Sequence, residues 1–329
     1  MRFNCMRSIV TDLDSTAVCK QPCVLAIGMF DGLHRGHMRV MKSALKIAEE
    51  THCLPCVLTF APHPSKVVAM GRPPVEMLFP PEIRARMFES AGAKKVFVKK
   101  FNKAFGALTP EKFEDFLKKK FPKLRGIVTG TNFVFGKGAS GNPQTLAEMA
   151  ARNNWKYRAV DGVKQGGIRI SSTRLRCALA KGDMPLYKKL AGTSYTATGT
   201  TKSGKKLGRK IGFPTVNLPW NPECKPPYGV YAVMLVYSGK IYLGVANYGT
   251  SPTVGKTEPL VETHILAENI RIGARKKISV QFLKFLRRQK KFSGLESLKR
   301  QISQDVKKAE SFFRKAKTAN AISPARKAL

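Results

Sequence analysis

Acidic side chains are scarce in this chain: 21 Asp and Glu stand against 59 Lys and Arg in 329 residues, a formal charge of +38. So one-sided a surface attracts anions, whether nucleotides, nucleic acid or acidic lipid, and specifies no chemistry by itself. Long apolar runs are missing as well. Nothing approaches the roughly 18 consecutive apolar residues of a membrane span, so no span is expected. The opening "MRFNCMRSIVTDLDS" has no sustained apolar core and carries Asp12 and Asp14, which argues against a secretory signal and weakens a transit-peptide reading. Cysteines number 7, odd and scattered. A chain this long needs no staples, and a reducing, cytoplasmic setting is expected. Only Cys53 and Cys56 in "CLPC" have metal or redox spacing. No second pair follows, so two buried thiols are the expectation there. Histidine is sparse, at 5 residues, yet "GMFDGLHRGH" (Gly28 to His37) holds two of them three apart, with three glycines and Asp31.

The length favours two domains, each large enough for its own core. In the first half, apolar strand runs alternate with helical patterns. "CVLAIGMF", "CVLTF", "KVFVKKF" and "LRGIVTG" read as strands. From His37 the apolar residues Val40, Met41, Ala44, Leu45 and Ala48 recur at helical spacing, and Pro81 to Ala91 reads as a further helix. "TPEKFEDFLKKKF" starts with Thr109 as N-cap and Pro110 in the first turn. Thr145 and Glu148 form a capping-box pattern ahead of another helix. Such alternation implies a parallel sheet covered by helices, with ligands at the carboxyl ends of its strands. From about Tyr195 the pattern is strand after strand, with Ser238-Gly239 as a hairpin signal, so a barrel or sandwich is expected. After Ser293 a helix is expected to bury Leu295, Leu298, Ile302, Val306 and Phe312 or Phe313.

Two stretches in the first half carry chemistry. Glycines after a strand let a phosphate approach the backbone, and the following helix N-terminus offers unpaired N–H groups. His34 and His37 add imidazoles able to donate to phosphate oxygens as charge builds. No nucleophile accompanies them, which suits direct transfer of a nucleotidyl group. The plain alternative is that both histidines cap a turn and a helix. "TFAPHPSKV" sets His63 at the end of the next strand. "ISSTRLR" offers Ser171, Ser172 and Thr173 at a helix start with Arg174 and Arg176 behind, a phosphate-type element, although Ser172 also suits ordinary capping. In the second half, "GTTKSGKKLGRKIGFPTVNLP" is a glycine- and lysine-rich loop ahead of a strand. Thr215 and Asn217, two apart on extended chain, point the same way and offer oxygens to Mg²⁺ and a phosphate. A flexible basic hairpin is the alternative.

The string "IGMFDGLHRGH … TFAPHP … GTNFVFGKGASGN … ISSTRLR" resembles the adenylyltransferase module of prokaryotic bifunctional riboflavin kinase/FAD synthetase. The order "GRKIGFPTVN … PPYGVYAV … GVANYGTSPTVG … VETHIL … LRRQKKF" resembles its riboflavin kinase module. The resemblance implies a Rossmann-like nucleotidyltransferase domain over residues 1–187. It implies a kinase domain over residues 188–329, a six-stranded antiparallel barrel followed by a helix. Riboflavin, FMN, FAD and ATP become the expected small-molecule partners, with Mg²⁺ as cofactor. Gly28, Phe30, Asp31, Gly32, His34, His37, Ser171, Ser172, Thr173 and Arg176 are then expected at the ATP phosphates. His63, Asn132, Phe133 and Phe135 are expected at the flavin, although periodicity alone makes both phenylalanines core. In the kinase, Gly204, Lys205, Gly208, Arg209, Thr215 and Asn217 are expected at Mg-ATP, with Thr215 on the metal and Glu262 as general base. Glu262 otherwise reads as a strand residue facing solvent. Two departures stand out: Gln289 replaces a common Glu, and "AENIRIGARKK" lacks the usual acidic and aromatic residues.

A class I aminoacyl-tRNA synthetase also carries an HxGH-like signature, but "SSTRLR" matches its second motif poorly. The other alternative is a polyanion- or nucleic-acid-binding protein on this fold with one or both activities weakened. Residues 271–329 hold 18 Lys and Arg against 3 acids, so any such contact is expected in the C-terminal helix and tail.

Overall fold

The computed structural model describes residues 10–13, 17–68, 73–204, 207–250, 258–267 and 270–318. They form two compact units, one running up to Ser172 and the other starting at Thr173.

The first unit contains β1 (Val10–Asp12), β2 (Cys23–Ile27), α1 (Arg35–Glu50), β3 (Leu54–Ala61), α2 (Pro81–Ser90), β4 (Lys95–Lys100), α3 (Lys103–Gly106), α4 (Pro110–Lys120), β5 (Leu124–Gly130), α5 (Pro143–Arg152) and β6 (Lys156–Val160). The six strands pair in parallel in the order β1-β4-β3-β2-β5-β6. Every residue of β2 is buried, because alternate side chains serve opposite cores. Val24 and Ala26 pack with Val40, Met41 and Ala44 of α1. Cys23, Leu25 and Ile27 pack with Phe113, Leu117 and Leu146 from α4 and α5. Successive strands run outward from β2 through β3 to β4 on one side, and from β5 to β6 on the other. The order therefore reverses between β2 and β5, which opens a crevice at their carboxyl ends. A small hairpin, β7 (Lys164–Gln165) and β8 (Ile168–Arg169), completes the unit.

The second unit comprises most of α6 (Ser172–Ala180), then α7 (Met184–Ala191), β9 (Tyr195–Thr200), α8 (Leu207–Lys210), β10 (Thr215–Pro219), β11 (Gly229–Tyr237), β12 (Lys240–Gly249), β13 (Leu260–Ile265), β14 (Lys277–Arg288) and α9 (Leu295–Thr318). Its six strands are antiparallel, in the order β10-β13-β12-β11-β14-β9. They curve into a half-barrel, and a bridge from Lys202 N–H to Asn217 C=O at 2.9 Å joins its two edges. Tyr195, Trp220, Tyr231, Tyr248 and Phe282 fill the inside with edge-on, tilted and stacked ring contacts. Outside, α9 lays Ala309 and Phe313 on Val230, Ala232 and Val245.

Several local sequence signals match the structure. Ser238 and Gly239 take φ of 48° and 74° between β11 and β12, the left-handed pair a tight hairpin demands. Thr109 caps α4. Elsewhere the structure corrects the reading. α5 begins earlier than the Thr145/Glu148 box implied: Asn142 is the cap and Thr145 its box partner, while Glu148 accepts from Gln144. Pro143 explains the shift, since a first-turn proline lacks only an N–H that has no helical partner. Leu295 is 52% exposed instead of buried, because α9 docks through its later turns. Cys56 makes its thiol contacts with Cys19 and Cys23, not with Cys53, whose thiol donates to Thr51 C=O.

Candidate active sites

The turn after β2 is backbone-strained and tightly held. Phe30, Gly32 and Leu33 take φ of 49°, 79° and 38°; for a non-glycine residue such a conformation costs about 1–3 kcal/mol and persists only where neighbours enforce it. Arg84, 2% exposed, donates to Met29 C=O at 2.7 Å and to Thr59 Oγ1 at 3.2 Å. The Asp31 carboxylate accepts from Leu78 N–H at 3.0 Å, and Asp31 C=O accepts from Ser172 Oγ at 2.8 Å. Asp31 thus ties three segments of the first unit together. Phe30 is buried edge-on against His37 and Phe88, and its ring lies so close to Gly28 that an added Cβ there would stand 3.1 Å away.

His34 is the N-cap of α1, its Nδ1 accepting from His37 N–H at 3.2 Å. The capping alternative therefore holds for His34, not for the His37 ring, and it leaves chemistry open: an accepting Nδ1 puts the ring proton of His34 on Nε2, which remains a donor. The two rings stack at 3.5 Å between centroids. Burial pushes His34 down to about 4, with Arg169 adding to the effect. Burial, then the neighbouring His34, pushes His37 well below the usual range. Both rings are neutral at pH 7. Arg169 carries no signal in the sequence, since nothing in β8 marks a two-residue strand. The hairpin is set over the start of α1 by Arg35 donating to Gln165 Oε1 at 3.0 Å.

The remaining first-unit residues lie at the same carboxyl edge. His63 follows β3 and accepts through Nδ1 from Ser65 N–H at 3.1 Å, while Ser65 Oγ accepts from Val75 N–H. Asn132 is exposed just after β5, Phe133 is half-buried, and Phe135 is 8% exposed. The Phe133 and Phe135 rings stack at 5.8 Å, so Phe135 backs Phe133 from the core. Ser172 opens α6. Thr173 (exposed) and Arg176 (half-buried) follow on that helix in the second unit.

In the second unit an open cleft is lined by Ser203, Gly204, Gly208, Arg209, Thr215 and Asn217, together with Ile272, Gly273 and Ala274. Gly204, Gly208, Arg209, Thr215 and Asn217 are the residues that the sequence points to; Ser203 and the 272–274 loop carry no such signal. It is tied in by Thr201, whose hydroxyl donates to Gly273 C=O at 2.8 Å. Lys205 lies outside the described residues, as does the 251–257 part of "GVANYGTSPTVG". Two glycines allow close approach: a Cβ on Gly204 would stand 2.1 Å from Asn217 Nδ2, and one on Gly208 2.3 Å from Phe213 C=O. Asn217 Oδ1 is buried and has no hydrogen-bond partner among the described residues. That orphaned oxygen beside the Thr215 hydroxyl is a hard donor set that suits Mg²⁺ completed by phosphate oxygens. Glu262 pairs in register with Asn217 on β10 and Asn247 on β12. Burial pushes its carboxyl up, and a hydrogen bond from Asn247 partly offsets this.

Comparison with known proteins gives matching families for both units. The family model described as FAD synthetase matches residues 16–174, and that described as riboflavin kinase matches residues 191–313. The bifunctional riboflavin kinase/FMN adenylyltransferase of Bacillus subtilis (strain 168) is 34% identical over 295 residues, 88% of this chain and 92% of that protein. Its counterpart of the same description in Escherichia coli (strain K12) is 33% identical over 301 residues, 91% of this chain and 96% of that one. A solved chain titled a macrolide-efflux protein, from Streptococcus pneumoniae, matches with a TM-score of 0.80 at 25% identity. It covers 92% of this chain and 99% of its own. Among the described residues no helix is long and apolar enough to cross a membrane.

Proposed function

The chain belongs to the bifunctional riboflavin kinase/FMN adenylyltransferase family, and from that premise we propose how its residues divide two ATP-using reactions of FAD biosynthesis. The kinase phosphorylates riboflavin to FMN, and the adenylyltransferase converts FMN to FAD with release of pyrophosphate. We put the functional division at residues 187/188, inside the stretch 175–190 that neither family match covers.

In adenylyl transfer the attacking group is the FMN phosphate, so the protein supplies no nucleophile. Its work is positioning and charge stabilisation. His34 and His37 donate to ATP phosphate oxygens as neutral imidazoles. The backbone of Gly28, Phe30 and Gly32 lets those phosphates approach the start of α1, and Asp31 keeps the turn in shape. Ser171, Ser172, Thr173 and Arg176 form the second phosphate element. His63, Asn132 and Phe133 face the flavin nucleotide, with Phe135 behind. The observation that carries this reading is the stacked, neutral histidine pair at the strand-order reversal. Its test is His37→Ala with FMN supplied: turnover to FAD should fall at least 100-fold with KM for FMN within about threefold, because the donor acts on charge that develops late. Unchanged turnover would return the pair to capping alone.

In phosphoryl transfer Glu262 takes the proton of the ribityl hydroxyl as that oxygen attacks the γ-phosphate. Its raised carboxyl makes it a stronger base than an exposed glutamate. Thr215 and Asn217 would hold Mg²⁺, which when bound offsets phosphate charge and fixes the transferring group. Gly204, Lys205, Gly208 and Arg209 cover the nucleotide. A cytoplasmic setting fits free cysteines and bacterial relatives.

A further inference from the structure

Glu262 sits between two amide side chains on the outer face of the half-barrel, with Asn217 on the nucleotide side and Asn247 on the other. Asn247 donates to the Glu262 carboxylate, which fixes its amide with Oδ1 turned away from Glu262. That Oδ1 accepts from Gln289 Nε2 at 3.3 Å. The Gln289 amide reaches it by crossing β12 over Gly249, where a Cβ would stand 2.1 Å from Nε2 and 2.5 Å from Cδ. Only a residue without a side chain leaves that path open. The chain end that carries Gln289 is anchored two residues earlier. There Arg287 makes a two-pronged contact with buried Asp305, with Nε to Oδ1 at 2.9 Å and Nη2 to Oδ2 at 2.7 Å.

We propose that Asn247 and Gln289 are positioning residues of the kinase: Gln289 fixes the Asn247 amide, and Asn247 fixes the direction in which Glu262 presents its carboxylate to the ribityl hydroxyl. A carboxylate turned by one rotamer step misses the hydroxyl, so the pair acts on turnover and not on nucleotide binding. Gln289 does its part through Asn247 and has no separate effect. This rests on Glu262 being the general base.

The test is a set of full-length variants, Glu262→Gln, Asn247→Ala, Gln289→Met and the Asn247→Ala/Gln289→Met double, each assayed for riboflavin phosphorylation. Asn247→Ala should lower kcat about 30-fold and Gln289→Met about fivefold, with KM for ATP within twofold of the parent. That retained KM shows that the kinase site is folded. The double variant should match Asn247→Ala within twofold, since the second change has nothing left to act through. Conversion of supplied FMN to FAD should be unchanged in all four. Kinase activity surviving in Glu262→Gln would overturn the base assignment itself. Loss in Glu262→Gln with normal kcat in Asn247→Ala would overturn only the positioning role. Losses that multiply in the double variant, or a raised KM for riboflavin at normal kcat in Gln289→Met, would show instead that Gln289 meets the flavin directly.

Discussion

At His34 the nitrogen Nδ1 is already engaged in capping α1, so in the proposed adenylyl transfer the phosphate contact falls to Nε2, and the ring must stay neutral to keep the cap. Its ring is pushed down to about 4, chiefly by burial, against about 6.5 in an unfolded chain. The unfolded state therefore binds the proton first on acidification. Stability from this group is intact above pH 6.5 and is lost as pH falls toward 4, by up to about 3 kcal/mol. An NMR titration of the free protein should place His34 near 4, and binding of ATP should raise it; a value of 6 or above would contradict the neutral-donor account. Gly204 offers a second test. An alanine Cβ would stand 2.1 Å from Asn217 Nδ2 and 3.0 Å from its Cγ, and a side chain that short cannot swing clear. Gly204→Ala should cut riboflavin phosphorylation at least tenfold, measured as FMN formed per minute, and spare adenylylation of FMN. The helix start at His34 and the glycine-rich loop ahead of Thr215 are legible in local spacing, whereas the role proposed for Glu262 comes from the family resemblance. Arg169, Asn247 and the 272–274 loop are not legible, because each reaches its site through pairing with distant chain.

Among the elements, α9 shows how a helix is locked to a sheet. Its apolar residues Val306, Ala309 and Phe313 lie on the outer face of β11 and β12, and Asp305, 2% exposed, holds Arg287 at the end of β14. Gln301 also donates to the same carboxylate. Removing one partner of a buried ion pair leaves the other uncompensated, at about 3–5 kcal/mol. Asp305→Ala should therefore lower the stability of the second unit by that amount in denaturant unfolding, while a loss under 1 kcal/mol would mean that the guanidinium finds water instead. The hairpin at Ser238-Gly239 and the start of α4 were legible for the same reason, since two or four residues decide them. The crevice between β2 and β5 was legible only as a sheet edge. Which strands flank it depends on non-local pairing that no window of sequence contains, and it is this order that gives the "GMFDGLHRGH" turn a cleft to work in.

Across the whole chain, the formal charge of +38 exceeds anything two nucleotide sites need. Exposed Lys299, Arg300, Lys307 and Lys308 line the solvent side of α9; the tail beyond residue 318 lies outside the described residues. We expect weak, sequence-independent binding of double-stranded DNA that falls at least tenfold between 50 and 200 mM salt, about 0.9 in log–log slope for each phosphate neutralised. Exchanging those four cations for Glu should flatten the slope, and binding indifferent to both changes would refute a polyanion-binding role for this surface. The central claim is that two separate groups of residues run two consecutive reactions, and one product analysis tests it most directly. Full-length Glu262→Gln and His34→Ala are each given riboflavin with Mg-ATP, and separately FMN with Mg-ATP, and the flavins are resolved by chromatography. Glu262→Gln should form no FMN from riboflavin yet convert FMN to FAD at the parent rate, whereas His34→Ala should accumulate FMN and form FAD at least 100-fold more slowly. Loss of FAD synthesis from FMN in Glu262→Gln, or loss of FMN formation in His34→Ala, would contradict the assignment.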